Sequence, residues 1–206
     1  QPAEVHALVA QINASLGNTG VTITEHAPVV ANPVNQLASL QALVGEMQGD
    51  GVEVLTILGG NPVYDAPADL GFAAALQKVK LRIHHTLQVN ETSARCDWQV
   101  PATHFLESWS DVRASDGAVT VVQPLIAPLY EGVSVHELLE LFAGGSGRSA
   151  YEIVRATQQG ASPDSTFTKE WNQILSDGVV AAATTAAAAQ LVPNEPPAIQ
   201  PAARSQ

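Results

Sequence analysis

Cysteine occurs once in this chain of 206 residues, as Cys96. A single thiol excludes an internal disulfide framework, an all-cysteine metal site and a cluster held by this chain's own thiolates. Positive charge is scarce too: nine Lys and Arg stand against twenty Asp and Glu, for a net charge of −11. That balance argues against a phosphate backbone as partner, so nucleic acid is not expected. The longest apolar run, near Val179 to Ala189, is alanine-rich, broken by threonines and too short to cross a bilayer. Neither a signal peptide nor an initiating Met precedes Gln1, and the chain reads as a fragment or a processed product. What is present is 46% apolar and only 14% charged, the composition of a folded globular chain. Its length suits one α/β domain with an appendage.

The stretch that organises the rest is Glu53-Val-Leu-Thr-Ile-Leu-Gly-Gly-Asn-Pro-Val63. A short apolar, partly β-branched run reads as a buried strand, and Gly59-Gly60-Asn61-Pro62 ends it in a tight turn. In an open α/β sheet that carboxyl edge is where ligands sit. Two glycines let backbone amides approach a ligand, and Asn61 offers both a donor and an acceptor. The same four residues are also ordinary turn chemistry, and both readings stand at this point.

Around this strand the periodicity lays out an α/β chain. Val5, Leu8, Val9, Ile12 and Leu16 mark a first helix over 4–16, expected to pack on a sheet, and Val21 to Thr24 alternates as a strand. Asn35 caps a helix carrying Leu37, Leu40, Leu43, Val44 and Met47, which ends at Gly49. After the central strand, Asp65 and Pro67 open a third helix through Leu70, Phe72, Leu76 and Val79, and Lys80 to His84 forms the next strand. That strand, helix, strand unit predicts a parallel, doubly wound sheet. Trp98 to Val100 and Val119 to Val122 read as further strands, the latter near an edge, with a long polar and aromatic loop over 102–117 between them. Ser134 with Glu137 and Ser149 with Glu152 are capping boxes for two more helices, and a last helix spans about 167–175 before Gly178. The expected organisation is a Rossmann-like domain over 1–143, a small helical extension over 144–180 and an Ala/Pro-rich tail or linker over 181–206.

Other constellations carry less. His84, His85, His104, Glu107 and Asp111 have metal-ligand chemistry, but adjacent strand histidines point to opposite faces, and exposed loop polarity is the simpler expectation. Ser108 or Ser110 with His104 and Asp111 lacks a nucleophile elbow. No catalytic or metal-binding residue is therefore assigned. Cys96, flanked by Arg95 and Asp97, reads as a buried small residue. Trp98, Phe105, Trp109 and Tyr130 form either a mini-core under the long loop or a subunit interface.

Taken in order, two segments resemble the molybdopterin oxidoreductase family. One is Val54 to Pro62, and the other is Glu91-Thr-Ser-Ala-Arg-Cys-Asp-Trp-Gln-Val-Pro101. The family has a glycine-Asn-Pro turn at the first and a Glu-Thr-x-x-x-Ala-Asp-x-Val-Leu-Pro segment at the second. Cys96 stands where the family usually has Ala, and Gln99-Val100 replaces a more apolar pair. His104 to Arg113, Asp116-Gly117, Val122 to Tyr130 and His136 to Leu138 are similar to the branch found in the large iron-sulfur subunit of alternative complex III, a bacterial quinol:electron-acceptor oxidoreductase.

The resemblance implies a Rossmann-like domain from the middle of a larger protein, with Gly59, Gly60, Asn61, Glu91, Thr92 and Asp97 at the cofactor position. In cofactor-bearing members that group is a molybdopterin guanine dinucleotide. In the alternative complex III branch the fold is kept without it, and the domain acts as a scaffold, with iron-sulfur clusters elsewhere in the parent. Its expected neighbours are other domains of the parent and other respiratory subunits, on the periplasmic side of the bacterial inner membrane. The alternatives are the guanine-dinucleotide-binding part of an active molybdenum oxidoreductase and a free-standing small-molecule binding module.

Overall fold

The computed structural model describes residues 3–24, 29–30, 33–160 and 162–180. The tail expected over 181–206 lies outside the described residues. The chain divides into two compact units. The described part of one is 3–24, 29–30 and 113–118, and that of the other is 33–112, 119–160 and 162–180.

The larger unit is built on a parallel three-stranded sheet of order β1-β2-β3, with β1 at Val54–Leu58, β2 at Leu81–Thr86 and β3 at Trp98–Pro101. Its register runs Val54↔Leu81 to Leu58↔His85 and Ile83↔Trp98 to Thr86↔Pro101. The α/β class expected from the repeated strand–helix pattern is what the chain forms. Helix α2, Gln36–Gln48, starts where Asn35 Oδ1 accepts a hydrogen bond from Ala38 N at 3.0 Å. The apolar stripe of α2 buries Val44 and Met47 against Phe72, Ala75 and Leu76, backed by Leu55 and Ile57 of β1. Burying side chains of this size contributes about 1.5–3 kcal/mol each, which is what holds the crossover to the sheet.

The crossover itself differs from the single helix expected over 65–79. It is cut into α3 at Pro62–Asp65, a 3-10 turn at Ala68–Leu70 and α4 at Phe72–Leu76. Pro62 fits the first turn of α3, but Pro67 and Gly71 prevent the pieces from joining. Asp65 closes α3 instead of capping a helix.

A second sheet has the order β4-β5-β6, from Ser110–Arg113, Val119–Val122 and Val179–Val180. Two of these strands depart from expectation: β4 lies inside the stretch read as loop, and β6 follows the final helix. Strand β5 is central here, not at an edge, and pairs antiparallel with β6. Helix α5, Val135–Phe142, and helix α6, Ala150–Gln159, both start with complete capping boxes at Ser134/Glu137 and Ser149/Glu152. Helix α7, Asp164–Asp177, ends at Gly178 in the left-handed region. Val121, Val154, Phe167, Trp171 and Ile174 form one buried cluster, so β5, α6 and α7 share a core.

In the smaller unit α1 spans Ala3–Ser15. Within that unit Leu8, Val9 and Ile12 are exposed. Val21 to Thr24 is a turn with a bridge between Thr19 and Ile23, not a strand.

Candidate functional site

The turn after β1 places Gly59 and Gly60 at φ 67° and 66°, a conformation that glycine adopts without Cβ strain. Gly59 N donates to His85 O at 2.7 Å, tying the turn to the end of β2. Beside it opens a cleft of about 370 Å³ lined by Leu58, Gly59, Gly60, Thr86, Thr103 and Val135 among others. This is the carboxyl edge of the parallel sheet.

Five of the six residues that the resemblance points to meet at this edge. Asn61 Nδ2 donates to Glu91 Oε2 at 2.6 Å, and Asn61 Oδ1 accepts from Thr92 Oγ1 at 2.7 Å and from Thr92 N at 3.2 Å. Thr92 Oγ1 in turn accepts from Val63 N at 3.0 Å. Thr92 is fully buried. The Asn61 hydrogen bond, followed by a backbone amide, lowers the carboxyl pKa of Glu91, so this group is a fixed negative charge beside the turn.

Asn90, Ser93 and His84 extend the network. Asn90 Oδ1 accepts from Thr92 N and Ser93 N at 3.0 and 3.1 Å, and Asn90 Nδ2 reaches Gly60 O at 3.4 Å. His84 is fully buried, with Nδ1 2.9 Å from Ser93 Oγ and Nε2 3.4 Å from Gly59 O. The pattern closes when the Ser93 hydroxyl donates to Nδ1 and Nε2–H donates to the carbonyl. His85 is buried too, 2.7 Å from Val133 O through Nε2. Both histidines therefore correct the expectation of exposed loop polarity. They continue β2, the central strand, which is covered on both faces.

The structure does not bring Asp97 to this edge. Asp97 precedes β3 and lies at the opposite, amino end of the sheet, where Oδ1 and Oδ2 accept from Arg82 Nη2 at 2.7 Å and Nε at 3.0 Å. Arg82 N adds a third bond to Oδ2 at 2.9 Å. The Arg82 side-chain and backbone hydrogen bonds push the Asp97 carboxyl down to about 2. Its acceptor capacity is directed at Arg82.

The remaining candidates disperse. His104 Nδ1 accepts from Leu106 N, Glu107 Oε2 accepts from His104 N, and Asp111 Oδ2 accepts from Gln158 Nε2. Among the described residues no group of three or more His, Cys, Asp or Glu is placed to hold a metal ion. Ser110 Oγ meets His136 Nε2 at 3.0 Å, not His104, on a cavity of about 210 Å³. Cys96 is half-buried, and burial pushes its thiol up, away from thiolate chemistry. Trp109 leaves the expected aromatic group and packs edge-on to Tyr151 at 4.9 Å in the helical core, while Trp98, Phe105 and Tyr130 are exposed.

A guanine dinucleotide is a doubly charged pyrophosphate with a base that needs free donors and acceptors. The residues at this sheet edge do not fit it. Neither cavity is lined by a Lys or Arg, Glu91 holds negative charge next to the glycine turn, and Asn61, Thr92 and Asn90 are bonded to one another. Asn90, Ser93 and His84 were not read as site residues from the sequence. The spacing Asn90-x-x-Ser93, an Asx-type turn, is the signal that marks two of them.

No protein-family model matches the chain. Over 99 residues the chain is 29% identical to a menaquinone reductase, molybdopterin-binding-like subunit, of Nitratidesulfovibrio vulgaris (strain Hildenborough). The match covers 46% of this chain and 14% of that subunit, so the chain spans a small part of the relative's length. The resemblance to molybdopterin-oxidoreductase-like proteins thus has support at that coarse level, and the likeness does not reach the alternative complex III branch.

Proposed function

We propose that this chain is a non-catalytic structural domain of a molybdopterin-oxidoreductase-like subunit in a bacterial respiratory reductase complex. The observation that carries this reading is the closed bonding of Asn61, Glu91 and Thr92. The residues that in the family would face a nucleotide here fasten the β1 turn to the segment before β3. That converts a binding edge into a brace between two loops, with the buried Thr92 hydroxyl satisfied by Asn61 and Val63 while Glu91 bonds to Asn61 at the surface. Similarity to a subunit named molybdopterin-binding-like supports placing the chain among respiratory oxidoreductase components.

In this reading the parent carries iron-sulfur clusters in other parts, this domain holds neither cluster nor molybdenum cofactor, and its neighbours are other domains and subunits on the periplasmic side of the inner membrane. Alternative complex III is the specific assembly we propose, on the ordered set His104 to Arg113 and Val122 to Tyr130. Titration of the purified chain with guanosine diphosphate, followed by calorimetry, tests the reading. No saturable heat is expected at millimolar nucleotide; saturable binding that disappears in Asn61→Ala would overturn it in favour of a cofactor-binding domain.

A further inference from the structure

The two loops over 102–109 and 123–133 are joined at their backbones while their large apolar side chains face solvent. Leu106 O accepts from Leu125 N at 2.8 Å and from Ile126 N at 3.1 Å. Glu107 then fastens both loops: Oε2 accepts from His104 N at 3.0 Å and Oε1 from Leu129 N at 3.4 Å. At the far end Val133 N donates to Pro101 O at 2.9 Å, and Ala102 and Val133 form a bridge. Pro124 and Pro128 stiffen the segment between these ties. Glu131 is held at φ 54°, an uncommon conformation for a residue with a side chain, which persists only where the surroundings impose it.

Against this fixed backbone, Phe105 is 64% exposed, Leu125 78%, Leu129 66% and Tyr130 82%, with Ile126 at 47%. Folding buries none of the five deeply, so the order of these loops is not bought by their side chains. Exposed apolar side chains on a preordered backbone are the arrangement found at protein interfaces, because little conformational freedom is lost on docking. The charge carried by the two loops is of one sign. These loops carry Glu107 and Glu131, and no Lys or Arg occurs anywhere between Arg113 and Arg148. A bilayer surface with anionic lipids recruits basic residues around an apolar anchor, and these two loops carry none.

We infer that the Phe105, Leu125, Leu129 and Tyr130 surface docks a second, different subunit whose contact face has an apolar centre and a Lys- or Arg-bearing rim. Tyr130 and Phe105 are the anchors, the residue types that carry interface energy, and Glu131 supplies the charge that selects a basic partner. The inference rests on the scaffold reading and names the face through which the scaffold works.

The test places the photo-crosslinker p-benzoylphenylalanine at Leu125 or at Tyr130, and at exposed Tyr64 as a control, in the chain produced in its native cells. Crosslinks from 125 and 130, but not from 64, to a Lys- or Arg-containing peptide of another subunit are the expected result. Leu125→Glu together with Leu129→Glu should reduce recovery of that subunit about tenfold or more. The melting temperature of the purified double variant should match the parent, and if that variant does not fold the crosslinks decide alone. If the chain sits in an assembly while positions 125 and 130 crosslink only to another part of its own parent polypeptide, to lipid, to a second copy of the chain or to nothing, the inference is overturned and the scaffold reading stands. If the chain purifies with no other subunit at all, both fall.

Discussion

Thr92 and Asn61 lie 31 residues apart in sequence and are joined by two hydrogen bonds, Oγ1 to Oδ1 at 2.7 Å and N to Oδ1 at 3.2 Å. Their union makes the edge of the sheet a brace. Thr92→Val keeps the shape of the side chain, removes its hydroxyl and leaves Val63 N without that acceptor in a buried setting. The variant should lose about 1–3 kcal/mol of stability, and Thr92→Ser should recover most of it. Urea unfolding of the three proteins measures this. A Thr92→Val protein as stable as the parent would mean that the network contributes nothing to the fold.

The helical region tests a different kind of contact. Trp171 is nearly fully buried, lies 5.9 Å from the Phe167 ring and donates from Nε1 to Tyr151 Oη at 3.1 Å. Trp171→Ala should cost about 3–5 kcal/mol by leaving a large cavity among β5, α6 and α7. Because that cluster is separate from the core under α2 and α4, hydrogen exchange should rise first in α6 and α7 and least in β1 and β2.

The Asp97–Arg82 pair makes stability depend on pH in a defined direction. The folded-state carboxyl titrates at about 2, below its ordinary 3.8, so the unfolded chain takes up the proton more readily than the folded one. Its contribution is therefore complete above about 4 and is lost as pH falls toward 2. Asp97→Asn should be less stable than the parent at neutral pH, and the gap should narrow across that window and close below it. Urea midpoints at a series of pH values provide the comparison; a gap that stays constant into acid would show that the pair acts only through shape.

Gly132 is placed where a Cβ would lie 3.0 Å from Ala102 O and 3.1 Å from Thr103 N, both backbone atoms. Gly132→Ala should break the Ala102–Val133 bridge and cost about 1–3 kcal/mol. Exchange of the Val133 amide should accelerate, and the two loops that carry Phe105 and Tyr130 should lose their fixed relation. Unchanged exchange at Val133 would show that the loop has room to adjust.

How much of this was readable from residues alone follows the range of the interactions. Asn35, Ser134 and Ser149 announced helix starts because a cap is bonded within three residues. The strand Val54 to Leu58 was visible because its apolar, partly β-branched run stops at Gly59-Gly60, but the burial expected of it was overread: β1 is an edge strand, half-buried at its centre and exposed at Val54 and Leu58. The crossover was overread as one helix because an apolar stripe continues past Pro67 and Gly71, which interrupt it. Strand β4 was missed because Ser110-Asp-Val-Arg113 has no apolar alternation, and its strand state comes from pairing with β5. His84 and His85 looked like surface polarity; only the tertiary partners Ser93, Gly59 and Val133 reveal them as buried. Among the site residues, Gly59, Gly60, Asn61, Glu91 and Thr92 converge. Asp97 does not, because a parallel strand carries its first and last residues to opposite sheet edges and Asp97 precedes the first residue of β3.

The central claim is that this domain braces an assembly without holding the family's cofactor. Molybdenum, pterin and iron content of the full-length parent, purified from its native source, tests it most directly. Iron without stoichiometric molybdenum or pterin is the predicted result; molybdenum and pterin near one cofactor per chain, lost when Gly60 and Asn61 are substituted together, would contradict the account and make this sheet edge a catalytic cofactor site.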